Sequence, residues 1–545
     1  MSNHRYLLAD TENVFLAHVH NRAVAKVLSG YADYCGNSKI LSNGEEKLQS
    51  FFNLLQQRFF TGLDTSLRLA KKSFAGGCYD PKRISYFNSA MVSYKKSLLK
   101  LFPPAAGIWV LDGLIFQNQI AGIKNLAGFS NEDGYVIDAL NSASSLSLGA
   151  ENPWLVKMDY MEDLLGIRDN ICAAYHPGLR QGYVFQELAR LYPNKQVKQL
   201  VVHTESSGTI VNSIAVESVV AFVEKKDGCN PLKKVLAVDG TWAGGYGTAR
   251  EGTGFGVDSC QLKKAGQSLW MDRCLPAPTV QNSQKFLNIL KEKIYEKKVA
   301  GIYIEPDVVG DLGLINFNPD LLRQVKQLML ANRLPIIADC VQQLGRTGSY
   351  WGNNVDTILS DYPLLVVTTA KSASNGQPFG FTVMPKIIAN AAYPLSQITT
   401  NQMNGPLLRS LVVAEVLQNE ELQNWLKTKS ADIETTAYQH HFSLGNTGLR
   451  GKFLNRGIDL ENNDQVKLTQ IALLIEDGIL VGATPDSIRY QPMLLEYRET
   501  NRLLAEVIFR RVEKVKAGDV SLVVKEVFDR MQKMASGLAR KNIIS

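Results

Sequence analysis

Asp339 closes the apolar run "PIIAD" and Lys371 closes "LLVVTTAK", so a carboxylate and an amine end two segments that otherwise read as buried strands. A lysine amine can form a Schiff base with a carbonyl and then carry protons, while a buried aspartate can hold a protonated nitrogen in place. Three more polar closures share this stretch: Ser207-Gly208-Thr209 after "LVVHTES", Asp239-Gly240-Thr241-Trp242 after "VLAV", and Glu305 after "GIYI". In an open parallel α/β sheet, ligands bind beyond the carboxyl ends of the strands, so these residues would border one crevice. Singly, Asp339 also suits a turn and Lys371 a solvated surface. As a set they specify a site more strongly.

"SSGT" opens "IVNSIAVESVVAFV" with free N–H groups and hydroxyls at a helix start, which suits a phosphate and equally a plain Ser/Thr cap. The stretch "DGTWAGGYGTAREGTGFG" has the glycines of a dinucleotide fingerprint, but no apolar helical period follows Gly256. It reads as a loop that lets Trp242 approach a flat ligand. A Schiff-base lysine with an aspartate for a ring nitrogen is what a pyridoxal phosphate site requires.

The elements that would position these residues can be read from apolar periodicity. From about Leu200 to Met384, short Val- and Ile-rich runs alternate with amphipathic stretches such as "PDLLRQVKQLMLANR", which predicts an α/β fold with a mainly parallel sheet covered by helices. Upstream, Leu48, Phe51, Phe52, Leu55 and Phe59 recur at three- and four-residue intervals and predict a helix, as does "SAMVSYKKSLLKLF" before Pro103-Pro104. Asp133-Gly134 predicts a tight turn between short strands. The expected division is a helical N-terminal extension over 1–105, the first part of a small domain over 106–190, a large α/β domain over 191–404, and a C-terminal α+β part over 405–545.

With 45% apolar and 20% charged residues, the chain has the composition of a folded protein with a large core. A net charge of +7 from 59 basic and 52 acidic residues, without a basic block, argues against nucleic-acid binding. No apolar stretch reaches membrane-spanning length, and the first residues lack the apolar core of a signal peptide, so a cytoplasmic protein is expected. Seven scattered cysteines without a CxxC pair read as reduced thiols, and the pairs His18/His20 and His440/His441 as surface or satisfied histidines, so no metal is expected.

Five pieces of the sequence resemble the class III (ω-amino acid) pyridoxal-phosphate-dependent aminotransferases of fold type I. They are "DGYVIDALNSASSLSLGAENP", "SSGTIVNSIAVE", the long run from "YIEPDVVGDLG" to "PIIADCVQQLGRTGSYWG", "TTAKSASNGQPFG" and "ILVGATPDSIRYQP". Their order and spacing agree with that family over roughly residues 106 to 520. The resemblance implies that Lys371 carries the cofactor as a Schiff base and later shuttles a proton, and that Asp339 partners the pyridine nitrogen. It implies that Ser207, Gly208 and Thr209 hold the phosphate, that Val341 and Trp242 flank the ring, and that Gln342 lies near the ring hydroxyl. It places Arg489 as a carboxylate-binding or gating arginine with Asp311 as its partner, and Thr399 or Thr400 as the residue that reaches the phosphate of a neighbouring subunit in a homodimer.

The chain departs from the family pattern at Ile210, Ala243 and Cys340, and lacks one residue between Gln342 and Gly345. The expected activity is ping-pong transfer of an amino group from an amino acid or ω-amine donor to a 2-oxo acid. Racemisation, aminomutation or decarboxylation with the same cofactor, and a non-catalytic binding or regulatory role, are the alternatives.

Overall fold

The computed structural model describes residues 3–34, 45–76, 81–82, 85, 116–126, 134–164, 179–227, 233–245, 247–253, 270–392 and 407–542. Its centre is a seven-stranded sheet built from β1 (Leu200–Glu205), β2 (Lys234–Val238), β3 (Met271–Leu275), β4 (Val299–Ile304), β5 (Ile336–Asp339), β6 (Leu365–Thr369) and β7 (Gly380–Pro385). The spatial order is β1-β7-β6-β5-β4-β2-β3. β7 alone runs antiparallel to its neighbours, β6 and β1. Every residue of β4, β5 and β6 is buried, which explains why their sequences are continuous apolar runs rather than alternating ones.

Register along β5 and β6 sets Asp339 opposite Thr368 and leaves Lys371 three residues further on, so both side chains emerge at the same sheet end. The helix Gly208–Asp227 begins directly after β1 and buries Val211, Ala215, Val216, Val219 and Val223 against the sheet. Its N-terminus therefore also points at that end.

Two smaller sheets flank the large one. Strands Phe116–Ile120, Ile123–Leu126 and Tyr135–Asp138 form antiparallel pairs, and Ile479–Leu480 from the C-terminal tail joins Tyr135–Asp138 in parallel. The strands Leu449–Lys452, Asn455–Asp459, Gly482–Ala483 and Ser487–Tyr490 form the other, which carries Arg489.

The N-terminal helices α1 (Asn3–Tyr34) and α2 (Glu45–Phe74) share one apolar core with the sheet: Leu16, Val24, Phe59 and Leu63 belong to the same buried cluster as Ile302 and Val367. The buried face of α2 is set by Phe52, Phe59 and Leu63, whereas Phe51 is exposed and meets Tyr160 edge-on. Periodicity put both Phe51 and Phe52 in the stripe, and of the two it is Phe52 that faces the core. The segment "SAMVSYKKSLLKLF" and Asp133 lie outside the described residues. No helix among the described residues is long and apolar enough to cross a membrane.

Candidate active site

A cavity of about 330 Å³ opens at the carboxyl end of the large sheet, bordered by Ser145, Ser207, Gly208, Thr209, Trp242, Val341 and Lys371 among others. Its volume lies within the range of roughly 300–1,000 Å³ usual for small-molecule sites. Five separate sequence segments converge on it.

Asp339 does not itself line the cavity; it lies directly beneath two residues that do, Asn212 and Val341, and is hydrogen-bonded to both. It is 2% exposed; its Oδ2 accepts from the Tyr303 hydroxyl and from Asn212 Nδ2 at 3.0 Å, and its Oδ1 accepts from the Val341 amide at 2.7 Å. Burial raises the Asp339 pKa above the ordinary carboxylate value, against the pull of the Tyr303, Val341 and Asn212 hydrogen bonds and the Lys371 charge. Oδ1 keeps a further lone pair, so a cationic N–H donor arriving from the cavity would relieve the cost of that burial. Glu305, behind it at the end of β4, is pushed well above its usual pKa by burial and by the Asp339 charge.

Asn212 organises this cluster. Its amide donates to Ala243 O at 2.8 Å as well as to Asp339, and its Oδ1 accepts from Thr368 Oγ1 at 2.6 Å. Asn212 and Tyr303 were not singled out in the sequence, although each carried a signal. Asn212 lies one helical turn after Gly208, and Tyr303 alternates with Glu305 on one face of an apolar strand.

Lys371 lines the cavity and is largely buried, and its pKa is lowered to about 8, first by burial and then by the positive charge of Arg489, while Asp339, Glu305 and Asp311 oppose the shift. Its backbone is left-handed, at φ +48°, so the turn that presents it is strained.

At the opposite wall, Ser207, Gly208 and Thr209 present the first N–H groups of the helix Gly208–Asp227, where an anion is stabilised by unpaired donors and by the helix dipole. A Cβ at Gly208 would stand 3.2 Å from both Ala370 Cβ and Val341 Cγ2, so the helix start packs tightly against the lysine turn. Trp242 is 36% exposed at the rim, and Thr253 Oγ1 donates to Gly244 O at 2.5 Å, pinning the loop that carries it.

Arg489 and Asp311 form an ion pair at 2.9 Å, and Arg489 Nη2 also donates to Gly310 O at 2.8 Å. Both are close enough to act on the Lys371 charge, but neither borders the cavity itself. Gln342 is also not among its lining residues; its side-chain amide packs against Gly310. Thr399 and Thr400 lie outside the described residues. The departures from the family pattern are accommodated quietly: Ala243 is buried, and Cys340 is a fully buried thiol beside Gln343 Nε2.

A mainly parallel seven-stranded sheet with a lysine and an aspartate at adjacent strand ends is the architecture of fold type I pyridoxal-phosphate transferases, and solved structures of that fold superpose on the chain. An ornithine aminotransferase of Toxoplasma gondii with partial occupancy of PLP at its active site matches with a TM-score of 0.62 at 16% identity, over 79% of this chain and 95% of that one. An omega transaminase of Pseudomonas jessenii in complex with PMP gives a TM-score of 0.62 at 15% identity, over 74% and 94%. By sequence, the chain is 28% identical over 221 residues to the mitochondrial acetylornithine aminotransferase of Yarrowia lipolytica, covering 39% of this chain and 50% of that protein. The chain thus matches only half the length of this curated relative. The sequence model of aminotransferase class-III matches residues 129–510, and the chain belongs to that family.

The family's cofactor is pyridoxal 5′-phosphate, a flat ring with a basic nitrogen, an aldehyde and a phosphate. The residues fit it: an amine of lowered pKa and a helix N-terminus border one cavity of suitable size, and a buried carboxylate is hydrogen-bonded to two residues of its wall.

Proposed function

We propose that the chain is a pyridoxal-phosphate-dependent aminotransferase that moves an amino group from an amino acid or ω-amine donor to a 2-oxo acid in a ping-pong cycle. The observation that carries this reading is the convergence of Lys371 and the start of the helix Gly208–Asp227 on one cavity, with Asp339 hydrogen-bonded to Asn212 and Val341 of its wall. When bound, pyridoxal 5′-phosphate supplies an aldehyde to take up the amine and a ring that accepts the electrons released at the substrate carbon.

Each residue then has a task. Ser207, Gly208 and Thr209 would hold the phosphate through backbone N–H groups and hydroxyls. Asp339 would accept from the ring N–H, and Asn212 and Tyr303 fix the orientation of its carboxylate. Val341 and Trp242 would border the two ring faces. Lys371 Nζ, with a pKa of about 8, is neutral often enough near physiological pH to attack a carbonyl and to accept a proton at the substrate carbon, and protonated often enough to return it. Arg489 would bind a substrate carboxylate in bidentate fashion, with Asp311 holding it in place until substrate arrives. A homodimer, with Thr399 or Thr400 reaching the partner's phosphate, and a cytoplasmic location belong to the same proposal. The free thiols at Cys274 and Cys340 suit a reducing compartment.

Steady-state turnover of a donor in the presence and absence of a 2-oxo acid tests the reading. Transamination stops after one half-cycle without the acceptor. Sustained turnover without it would assign a racemase, aminomutase or decarboxylase instead.

A further inference from the structure

The turn that carries Lys371 begins and ends in left-handed backbone, with φ +48° at Lys371 and +51° at Asn375. Neither residue is glycine, and such conformations cost of order 1–3 kcal/mol each unless their surroundings hold them. The segment facing them is strained as well: Asn141, Ser142 and Ser144 have φ of +53°, +49° and +67°. The Asp138 carboxylate accepts from the Asn141 and Ser142 amides and holds the second segment, and the side chains of Ser372 and Asn375 tie the lysine turn to residues 144–149 beside it.

At the far end of the turn, Asn375 Oδ1 accepts from the Leu148 amide at 2.8 Å and its Nδ2 donates to Gly149 O at 2.8 Å. At the near end, Ser372 Oγ donates to Ser144 O at 2.6 Å and lies 2.5 Å from Ser147 Oγ. Ser147 Oγ also donates to Ser144 O at 3.3 Å, so the two hydroxyls and that carbonyl form one shared network. Ser147 in turn accepts from Arg346 Nε at 3.1 Å. Arg346 Nε, the Ser147 and Ser372 hydroxyls and Ser144 O are thus joined in one buried hydrogen-bond network, in which neighbouring bonds polarise one another. Arg346 is 1% exposed and has no ion pair among the described residues; its remaining bonds go to the carbonyls of Leu454 and Pro492. Burying a guanidinium this deep is costly, and the charge of Asp138 offsets part of that cost.

We propose that Ser372 and Asn375 are positioning residues for Lys371: with the hydrogen-bond network of Ser147 and Arg346, they lock the turn so that the lysine amine is aimed into the cavity. The inference rests on the reading of Lys371 as the residue that captures pyridoxal phosphate. The charged groups facing the lysine are Arg489, Asp339, Glu305 and Asp311, and all four stay unchanged in the variants below.

The test uses the full chain freed of cofactor, pyridoxal 5′-phosphate as probe, and the variants Ser372→Ala, Ser372→Thr and Asn375→Gly. Asn375→Gly keeps the backbone free to adopt positive φ and removes only the side-chain bonds. Three quantities are read: the rate at which the visible band of lysine-bound cofactor grows, the pH at which that band changes, and the thermal midpoint. Ser372→Ala and Asn375→Gly are expected to slow capture roughly tenfold or more, the scale that ångström misplacement of reacting groups produces. They should also shift the pH of the spectral change by about half a unit. Ser372→Thr, which keeps the hydroxyl, should restore both. Capture rate and spectral pH equal to those of the unaltered chain in both Ser372→Ala and Asn375→Gly would overturn the proposal. If Ser372→Ala fails to fold, Asn375→Gly still decides. Should the unaltered chain itself form no visible band, the reading of Lys371 fails, and that outcome is distinct from failure of the clamp.

Discussion

Lys371 and Asp339 carry opposite requirements on one cavity, an amine made easier to deprotonate and a carboxylate made harder to ionise, and burial supplies both. Lys371→Ala should fold and yet form no covalent adduct with pyridoxal 5′-phosphate, read as loss of the cofactor mass after borohydride reduction. An adduct that persists would mean another lysine is used. Because the folded Lys371 pKa is lowered to about 8 from 10.5, the amine loses its proton at lower pH in the folded chain than in the unfolded one. Cofactor capture by the apo chain should therefore rise as pH passes through about 8 and flatten above it, and a rate independent of pH through that region would contradict the assignment. Asp339→Ala would leave the buried Tyr303 hydroxyl without its carboxylate, at a cost of about 1–3 kcal/mol in denaturant unfolding in addition to weaker cofactor binding. Asp339 and Lys371 were legible in the sequence because an ionisable residue ending an apolar run has few places to go but a strand end. Tyr303, Asn212, Arg346 and Asn375 were not, because their roles depend on partners from 31 to 227 residues away that only the folded chain brings together.

At the scale of elements, the site depends on close approaches. The helix Gly208–Asp227 packs tightly against the lysine turn, where a Cβ at Gly208 would crowd Ala370 and Val341 at 3.2 Å, and Gly244, at φ +150°, leaves room for Thr209: a Cβ there would come within 2.7 Å of Thr209 Cγ2. Gly244→Ala should therefore displace the helix start, lowering affinity for pyridoxal 5′-phosphate and costing about 1–3 kcal/mol of stability. Equilibrium cofactor titration and urea unfolding would show both losses; an unchanged affinity would remove the Trp242 loop from the phosphate site. The alternation of strands and helices was readable from periodicity, since buried parallel strands are written as unbroken apolar runs. The reversal of β7 was not, because a strand buried on both faces reads the same in either direction. The stripe read on α2 held two adjacent phenylalanines, and only packing against the body shows that Phe52 is buried while Phe51 is exposed.

Over the whole molecule, α1 and α2 are built into the core rather than appended to it. Trp154, 1% exposed, stacks on His20 of α1 with ring centres 4.4 Å apart and meets Phe59 and Phe60 of α2 edge-on. His20 is buried with its Nδ1 2.8 Å from Leu16 O, and burial lowers its pKa to about 4, so it stays neutral in this contact. Trp154→Ala should lower stability by about 3–5 kcal/mol in a single cooperative unfolding transition. Two separate transitions would show instead that the N-terminal helices unfold on their own. Polar bonds reinforce the joint: Glu12 accepts from Trp425 Nε1 at 3.2 Å, and Ser66 donates to the buried Glu496 at 3.0 Å. Periodicity predicted helices in this region, but where they pack could not be read, because an apolar stripe states that a face is covered and not by what.

The most direct test of the central claim is the visible absorption spectrum of the chain loaded with pyridoxal 5′-phosphate, recorded before and after adding ornithine, lysine, 4-aminobutyrate or glutamate. The account predicts a band from lysine-bound cofactor that at least one donor converts to the spectrum of pyridoxamine phosphate, and that a 2-oxo acid then restores. A chain that stays colourless with added cofactor would contradict it.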